Sequence, residues 1–166
     1  MSASLNGYAS AMFYIVAYVM MSLASFGMIL LLSRQGFEAD KLDDLKGLNQ
    51  RSPWHAFLMM IVMFSMAGVP PTLGFYAKFT VLQAALQAGF IWFVVFAVLM
   101  AAIGAFYYLR IVKLMYFDEP IDNTPINPDT DMNLVLSINA LGLLFLGLMP
   151  QSLMTLCAYA ITHSLQ

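Results

Sequence analysis

Few side chains in this sequence could carry chemistry, and Lys78 stands apart among them. Set aside two charge-rich segments, 34–53 and 110–133, and Lys78 is the one Lys, Arg, Asp or Glu that remains. It lies four residues beyond Gly74, deep in an apolar stretch. A lysine near the middle of a membrane helix costs about 2.5–3.5 kcal/mol on insertion scales, so it needs a partner, a water-filled cavity or the loss of its proton. An amine able to lose its charge in such a place can load and release a proton. The competing reading is snorkelling to the interface. About nine residues, or about 13 Å at about 1.5 Å each, separate Lys78 from the end of its stretch, more than a lysine side chain comfortably covers. Ser65, Thr72, Tyr76 and Thr80 are neighbouring polar groups that could support water, although a membrane Ser or Thr more often bonds its own backbone.

The remaining candidates are weaker. His55 and His163 fall near opposite ends of the expected membrane and cannot share a metal ion. Cys157 is the single cysteine, which leaves no internal disulfide and no cysteine-rich metal site. Twelve of the fourteen methionines sit in the apolar stretches, and they suit adaptable packing rather than metal binding. The chain has no glycine-rich phosphate loop and no Ser-His-Asp or Cys-His set. No catalytic residue, no metal ligand and no cofactor of its own are therefore expected. A proton path needs a donor and an acceptor, and no acidic residue falls inside an apolar stretch. The partners of Lys78 must come from helices elsewhere.

The elements that position Lys78 follow from composition and spacing. The 166 residues are 61% hydrophobic and 10% charged, with a mean hydropathy of +0.80. A soluble domain is about 45–50% apolar and about 25% charged, so the composition excludes a soluble enzyme and a disordered tail. The net charge of −2 offers no basic field for nucleic acid. Apolar stretches run over about 8–33, 54–87, 89–117 and 132–149. The expected fold is an all-α polytopic membrane protein of four transmembrane helices in one unit. The first residues lack the cationic region of a signal peptide. The tail 151–166 is mildly apolar, suited to lying along the interface or to extending the last helix.

The second stretch is too long for one straight helix. Its 34 residues would reach about 50 Å, against a hydrocarbon core of about 30 Å. Its middle reads Gly68-Val69-Pro70-Pro71-Thr72-Leu73-Gly74. The prolines remove two backbone donors and push Val69 away from helical geometry, so the second helix is expected to be discontinuous there. Half-helix ends near the midplane expose backbone groups and dipole ends to an ion path. The positive N-terminal end of the second half-helix is the one expected to bear on Lys78.

Charge sets the expected topology. Six of the seven Lys and Arg residues lie in the two charge-rich segments: Arg34, Lys41, Lys46, Arg51, Arg110 and Lys113. The positive-inside rule counts these cations and largely ignores the acids. The loops at about 34–53 and 118–131, the second holding Pro120, Pro125 and Pro128, are therefore expected in the cytoplasm, with both termini on the periplasmic side of a bacterial inner membrane. Tyr107, Tyr108 and Tyr116 beside Arg110 and Lys113 mark the interface.

The run Phe64-Ser65-Met66-Ala67-Gly68-Val69-Pro70-Pro71-Thr72-Leu73-Gly74-Phe75-Tyr76-Ala77-Lys78-Phe79 closely resembles the broken helix of the antiporter-like membrane subunits of respiratory complex I, the NADH-quinone oxidoreductase. Phe13-Tyr14 through Ser25-Phe26-Gly27 is similar to the preceding helix of that family, Asp43 to Leu48 to its cytoplasmic loop, and Tyr107-Tyr108-Leu109-Arg110 to the end of the next helix. Ala77 stands where the family often has glycine, and Ser25 where a fuller polar pair is common. The resemblance covers the whole chain and implies the last four spans of a longer bundle built from inverted repeats. Lys78, rather than a glutamate, and a chain that stops soon after the fourth span mark which type of member it is nearest.

What the resemblance implies is a proton-translocating subunit that couples quinone reduction to pumping through Lys78, with Gly68, Pro70, Pro71 and Gly74 as the hinge beside it. NADH, FMN, iron–sulfur clusters and quinone would belong to other parts of the assembly. The partners implied are the other complex I membrane subunits and the lipid bilayer. Two other readings remain: a subunit of a multisubunit cation/proton antiporter or membrane-bound hydrogenase, and a structural fragment without transport of its own.

Overall fold

The computed structural model describes residues 2–33, 41–121 and 130–164. Arg34, Glu38 and Asp40 of the first expected loop, and Asp122, Pro125, Pro128 and Asp129 of the second, lie outside the described residues. Within them the chain is helical: α1 (Ser2–Leu32), a 3-10 turn (Leu42–Leu45), α2 (Leu48–Arg51), α3 (Pro53–Ala67), α4 (Leu73–Gln87), α5 (Ile91–Phe117), α6 (Thr130–Leu148) and α7 (Pro150–Ser164). No strand occurs among the described residues.

Among the described residues three helices are long and apolar enough to cross a membrane, Asn6–Leu32 within α1, then α5 and α6. The composition suggests four. The difference lies in α3 and α4, each 15 residues long. At about 1.5 Å per residue each reaches about 22 Å, short of the hydrocarbon thickness of about 30 Å.

α1 is the axis of the bundle and touches α3, α4, α6 and α7. Phe13, Ala17, Met21, Ala24 and Met28 recur at helical spacing and are buried, while Ile15, Leu23, Phe26 and Leu30 face outward. Lipid tails are as apolar as leucine, so small residues and close packing hold membrane helices together. The alternation of Ala with Met and Phe on this stripe fits that rule, Met filling irregular gaps. α5 packs on α3 but turns Trp92, Phe96, Leu99, Ile103 and Phe106 outward.

The charged segments gather at one end of the bundle. The Gly47 N–H donates to the Leu114 carbonyl at 3.1 Å, which seats the 41–52 segment on the end of α5. Lys46 pairs with Asp43 at 2.7 Å, and Lys113 with Asp118 at 3.3 Å. The hydrogen bond from Lys46 and its charge hold the Asp43 carboxyl below the usual range, and the same bond raises Lys46. Trp54 Nε1–H donates to Ser137 Oγ at 3.0 Å and ties the start of α3 to α6. His55 is buried, its Nδ1 2.6 Å from Ser52 Oγ.

The tail forms a helix of its own. Only Met149 separates α6 from α7, because Pro150 has no N–H to continue the ladder. α7 then packs along α1, with Cys157 buried.

Candidate functional site at the helix interruption

The segment between α3 and α4 is built by its punctuation. Gly68 takes the left-handed conformation (φ +87°) that glycine adopts without strain. Its N–H and that of Val69 both turn back to the Phe64 carbonyl at 2.9 Å, closing the end of α3. Pro70 and Pro71, joined by a cis bond, offer no donors. Thr72 turns the chain, its N–H and Oγ1–H both donating to the Val69 carbonyl at 3.1 and 2.7 Å. α4 then starts at Leu73.

Two side chains bridge the interruption. Ser65 is fully buried on α3, and its Oγ accepts the Gly74 N–H at 3.0 Å. Gly74 packs so tightly that a Cβ there would overlap the Ser65 carbonyl. Lys78, one turn further along α4, reaches back to α3. Its Nζ donates to the carbonyls of Met66 at 2.7 Å and Ala67 at 3.2 Å. Its stem runs over Gly68, where a Cβ would stand 3.2 Å from Lys78 Cδ. α6 closes the other side: a Cβ on Gly147 would meet the backbone of Pro71, Thr72 and Leu73. The interruption at Met149 and the one at 68–72 thus lie at the same level of the bundle.

The geometry adds a contact beyond the expected one with the N-terminal end of α4. The amine of Lys78 reaches back across the interruption. It caps the C-terminal end of α3, where unpaired carbonyls carry the negative end of the helix dipole. An ammonium has three donors, and two are used on these carbonyls.

Beside the amine lies an open-sided cavity of about 470 Å³ between α1, α4 and α5. Lys78, Tyr14, Tyr18, Tyr108, Met66 and Phe93 are among the residues that line it. Tyr14 and Tyr18 stack, with ring centroids 6.2 Å apart. These tyrosines escaped the sequence reading. The signal was the i, i+4 pair of phenols on one face of an uncharged helix, masked because tyrosine also marks membrane interfaces. The arrangement can hold a charged amine against backbone oxygens and offer its remaining donor a cavity roomy enough for water.

The other candidates divide. Thr72 is buried and Thr80 half-buried, and both commit their hydroxyls to their own backbone, Thr80 to the Ala77 carbonyl at 3.1 Å. Thr80 lines a second cavity of about 250 Å³ with Asn6, Ser10, Gln83 and Gln87, not the one beside Lys78. Tyr76 is half-buried, edge-on to Phe75 with centroids 5.4 Å apart, and does not line the Lys78 cavity. Ser65 alone among the four bridges the interruption. His163 lies in the last turn of α7 against Tyr159, far along the chain from His55. Among the described residues no three His, Cys, Asp or Glu side chains gather where they could hold a metal ion.

Comparison with known proteins gives a consistent result. Residues 1–104 match the family described as NADH:quinone oxidoreductase/Mrp antiporter, TM. The chain is 75% identical over 166 residues to NADH-quinone oxidoreductase subunit N of Methylovorus glucosotrophus (strain SIP3-4), covering 100% of this chain and 34% of that protein. It is 60% identical over 164 residues to the subunit N of Nitrosomonas europaea, covering 99% of this chain and 34% of that one. The chain thus spans about a third of the length of these curated relatives. Among solved structures, it superposes on a chain of the respiratory complex I from Thermus thermophilus with bound aureothin. The TM-score is 0.79 at 24% identity, covering 89% of this chain and 34% of that chain, which is a likeness of fold.

Proposed function

The chain belongs to the NADH:quinone oxidoreductase/Mrp antiporter family of transmembrane proteins, and from that premise we propose that it serves as the closing part of an N-type, antiporter-like subunit of bacterial NADH-quinone oxidoreductase, moving protons through Lys78. In this reading α3 and α4 make one discontinuous span, about 45 Å of helix at about 1.5 Å per residue. Together with α1, α5 and the α6–α7 pair it completes four crossings. The charged end faces the cytoplasm of the inner membrane, and both termini face the periplasm. Gly68, Pro70, Pro71 and Gly74 form the hinge.

The observation that carries the reading is Lys78 itself. Among the described residues it is the one lysine or arginine away from the charged end, it bonds the end carbonyls of α3, and it borders a cavity. Such a group can take up a proton from water or from a relay group, hold it against the carbonyls, and release it when the balance shifts. No acid occurs in α1, α3, α4, α5 or α7, so its exchange partners stand on other helices of the subunit. NADH, flavin, iron–sulfur clusters and quinone are handled by other subunits, and the other membrane subunits of the complex are the partners.

The test is Lys78→Ala in the assembled complex, in inverted membrane vesicles. The complex should still assemble, and proton uptake per NADH oxidised should fall. Unchanged pumping would sink the reading. The family description also names Mrp antiporters, which is the second reading. A native gel stained for NADH-dependent dye reduction separates the two. A staining band containing the chain supports complex I, whereas a large band without that activity, with sodium-dependent growth on deletion, supports the antiporter.

A further inference from the structure

Three serine or threonine hydroxyls flank the interruption between α3 and α4, and two of them bond their own backbone. Ser65 is different. It is fully buried, and its oxygen takes the N–H of the second residue of α4, Gly74, at 3.0 Å. That N–H is one of the N-terminal donors a helix cannot satisfy by itself. The next two residues after Ser65, Met66 and Ala67, supply the carbonyls that hold Lys78. Gly74 and Lys78 are one helical turn apart on α4. Both bridges therefore join the same two stretches of backbone, and both depend on how α4 stands beside the end of α3. The missing Cβ at Gly74 lets the two backbones meet at that point, and the hydroxyl then fixes their separation and slide.

We propose that Ser65 is a positioning residue: through the Gly74 amide it sets the placement of Lys78 against the carbonyls of Met66 and Ala67. The proposal rests on the assignment of Lys78 as the proton-carrying group. Ser65 itself need never touch a proton in transit. Its hydroxyl holds the frame in which the amine finds or loses its acceptors. A shift of about 1 Å at a reacting group can cost on the order of a hundredfold in rate, so loss of a bond at the base of this frame is expected to be felt at Lys78.

The experiment compares Ser65→Ala, Ser65→Thr and Lys78→Ala in the complex, in inverted membrane vesicles. Assembly is read on a native gel, and NADH-driven proton uptake is read as a function of pH. Ser65→Ala should assemble, lose on the order of tenfold in pumping, and move the pH profile by about half a unit or more, a change a merely structural defect would not make. Ser65→Thr keeps the oxygen and should restore both. A wild-type profile in Ser65→Ala, with pumping lost in Lys78→Ala, overturns the positioning role alone. Unchanged pumping in Lys78→Ala overturns the reading beneath it. If Ser65→Ala does not assemble, Ser65→Cys, of similar volume and a weak acceptor, takes its place. Failure of both to assemble assigns Ser65 to structure only and overturns the proposal.

Discussion

At the scale of single residues, backbone contact decides which positions tolerate change. Gly68 and Gly74 flank the same five-residue turn, yet they are glycines for different reasons. Gly68 needs a left-handed φ of +87°, and the atoms facing its absent Cβ belong to the flexible Lys78 stem. The conformational cost of alanine there is about 1–2 kcal/mol, and the stem can move aside. Gly74 has no unusual φ, but its absent Cβ would strike the Ser65 carbonyl, which is backbone and cannot turn away. Overpacking a tight site costs about 1–3 kcal/mol, occasionally more, and here it would also break the bond from the Gly74 N–H. Gly74→Ala is therefore expected to lower the amount of assembled complex more than Gly68→Ala does. Quantitative native-gel densitometry after graded heating checks it, and equal losses would remove the backbone-contact explanation. By contrast, the Asp43–Lys46 pair lies in solvent, where such bridges contribute little. The carboxyl is held below its ordinary range, so its contribution is present above that range and lost only as pH falls through the lowered value. The amine is raised, so its contribution is present below its ordinary range and lost only as pH climbs through the raised value. Between about pH 5 and 9 that small contribution is constant, so Asp43→Asn should lower the thermal midpoint only slightly and by the same amount across the window, as followed by circular dichroism.

At the scale of elements, the helical class was legible because apolar runs of more than 18 residues with few charges have few other uses. The punctuation at 68–74 was legible for the same kind of reason: two prolines between two glycines cannot be a regular helix. What the sequence hid was the direction in which Lys78 reaches. Spacing along α4 places its Cα, but a long flexible stem can serve either half of an interrupted helix. Only the folded chain brings the α3 carbonyls to within 2.7 and 3.2 Å of the amine. The tyrosine-lined cavity was hidden likewise, because it forms between α1, α4 and α5 and no single segment encodes it. The role of α7 was half visible: Pro150 announces a stop, but not that α7 follows after one residue and packs on α1. Gly147 makes that arrangement depend on the turn at 71–73, since any Cβ there meets its backbone. Gly147→Val should push α6 from the turn and loosen both interruptions together. The expected readout is faster hydrogen exchange at Gly74 and along the first turn of α7, and protection unchanged at both places would separate the two elements.

At the scale of the whole molecule, the arrangement is polar along one axis. The 41–52 segment, the end of α5 and the start of α6 share one end through the Gly47–Leu114 and Trp54–Ser137 bonds. The turn at Ala88–Phe90, between α4 and α5, carries no charge and lies at the other. A membrane reads that asymmetry through the cations, because translocating lysines and arginines is costly. The proposed orientation then follows, with the charged end in the cytoplasm. It matters for the proposed mechanism, because it sets which aqueous phase lies beyond α3 and which beyond α4, on either side of Lys78. Cys157, the single cysteine of this chain, is buried against the core, so it adds little background labelling. Lys46→Cys should react with a membrane-impermeant maleimide in inverted vesicles and stay silent in spheroplasts. Ala88→Cys should show the reverse. If Lys46→Cys is labelled from the periplasmic side, the proposed orientation is inverted, even though every contact described at the interruption would stand unchanged.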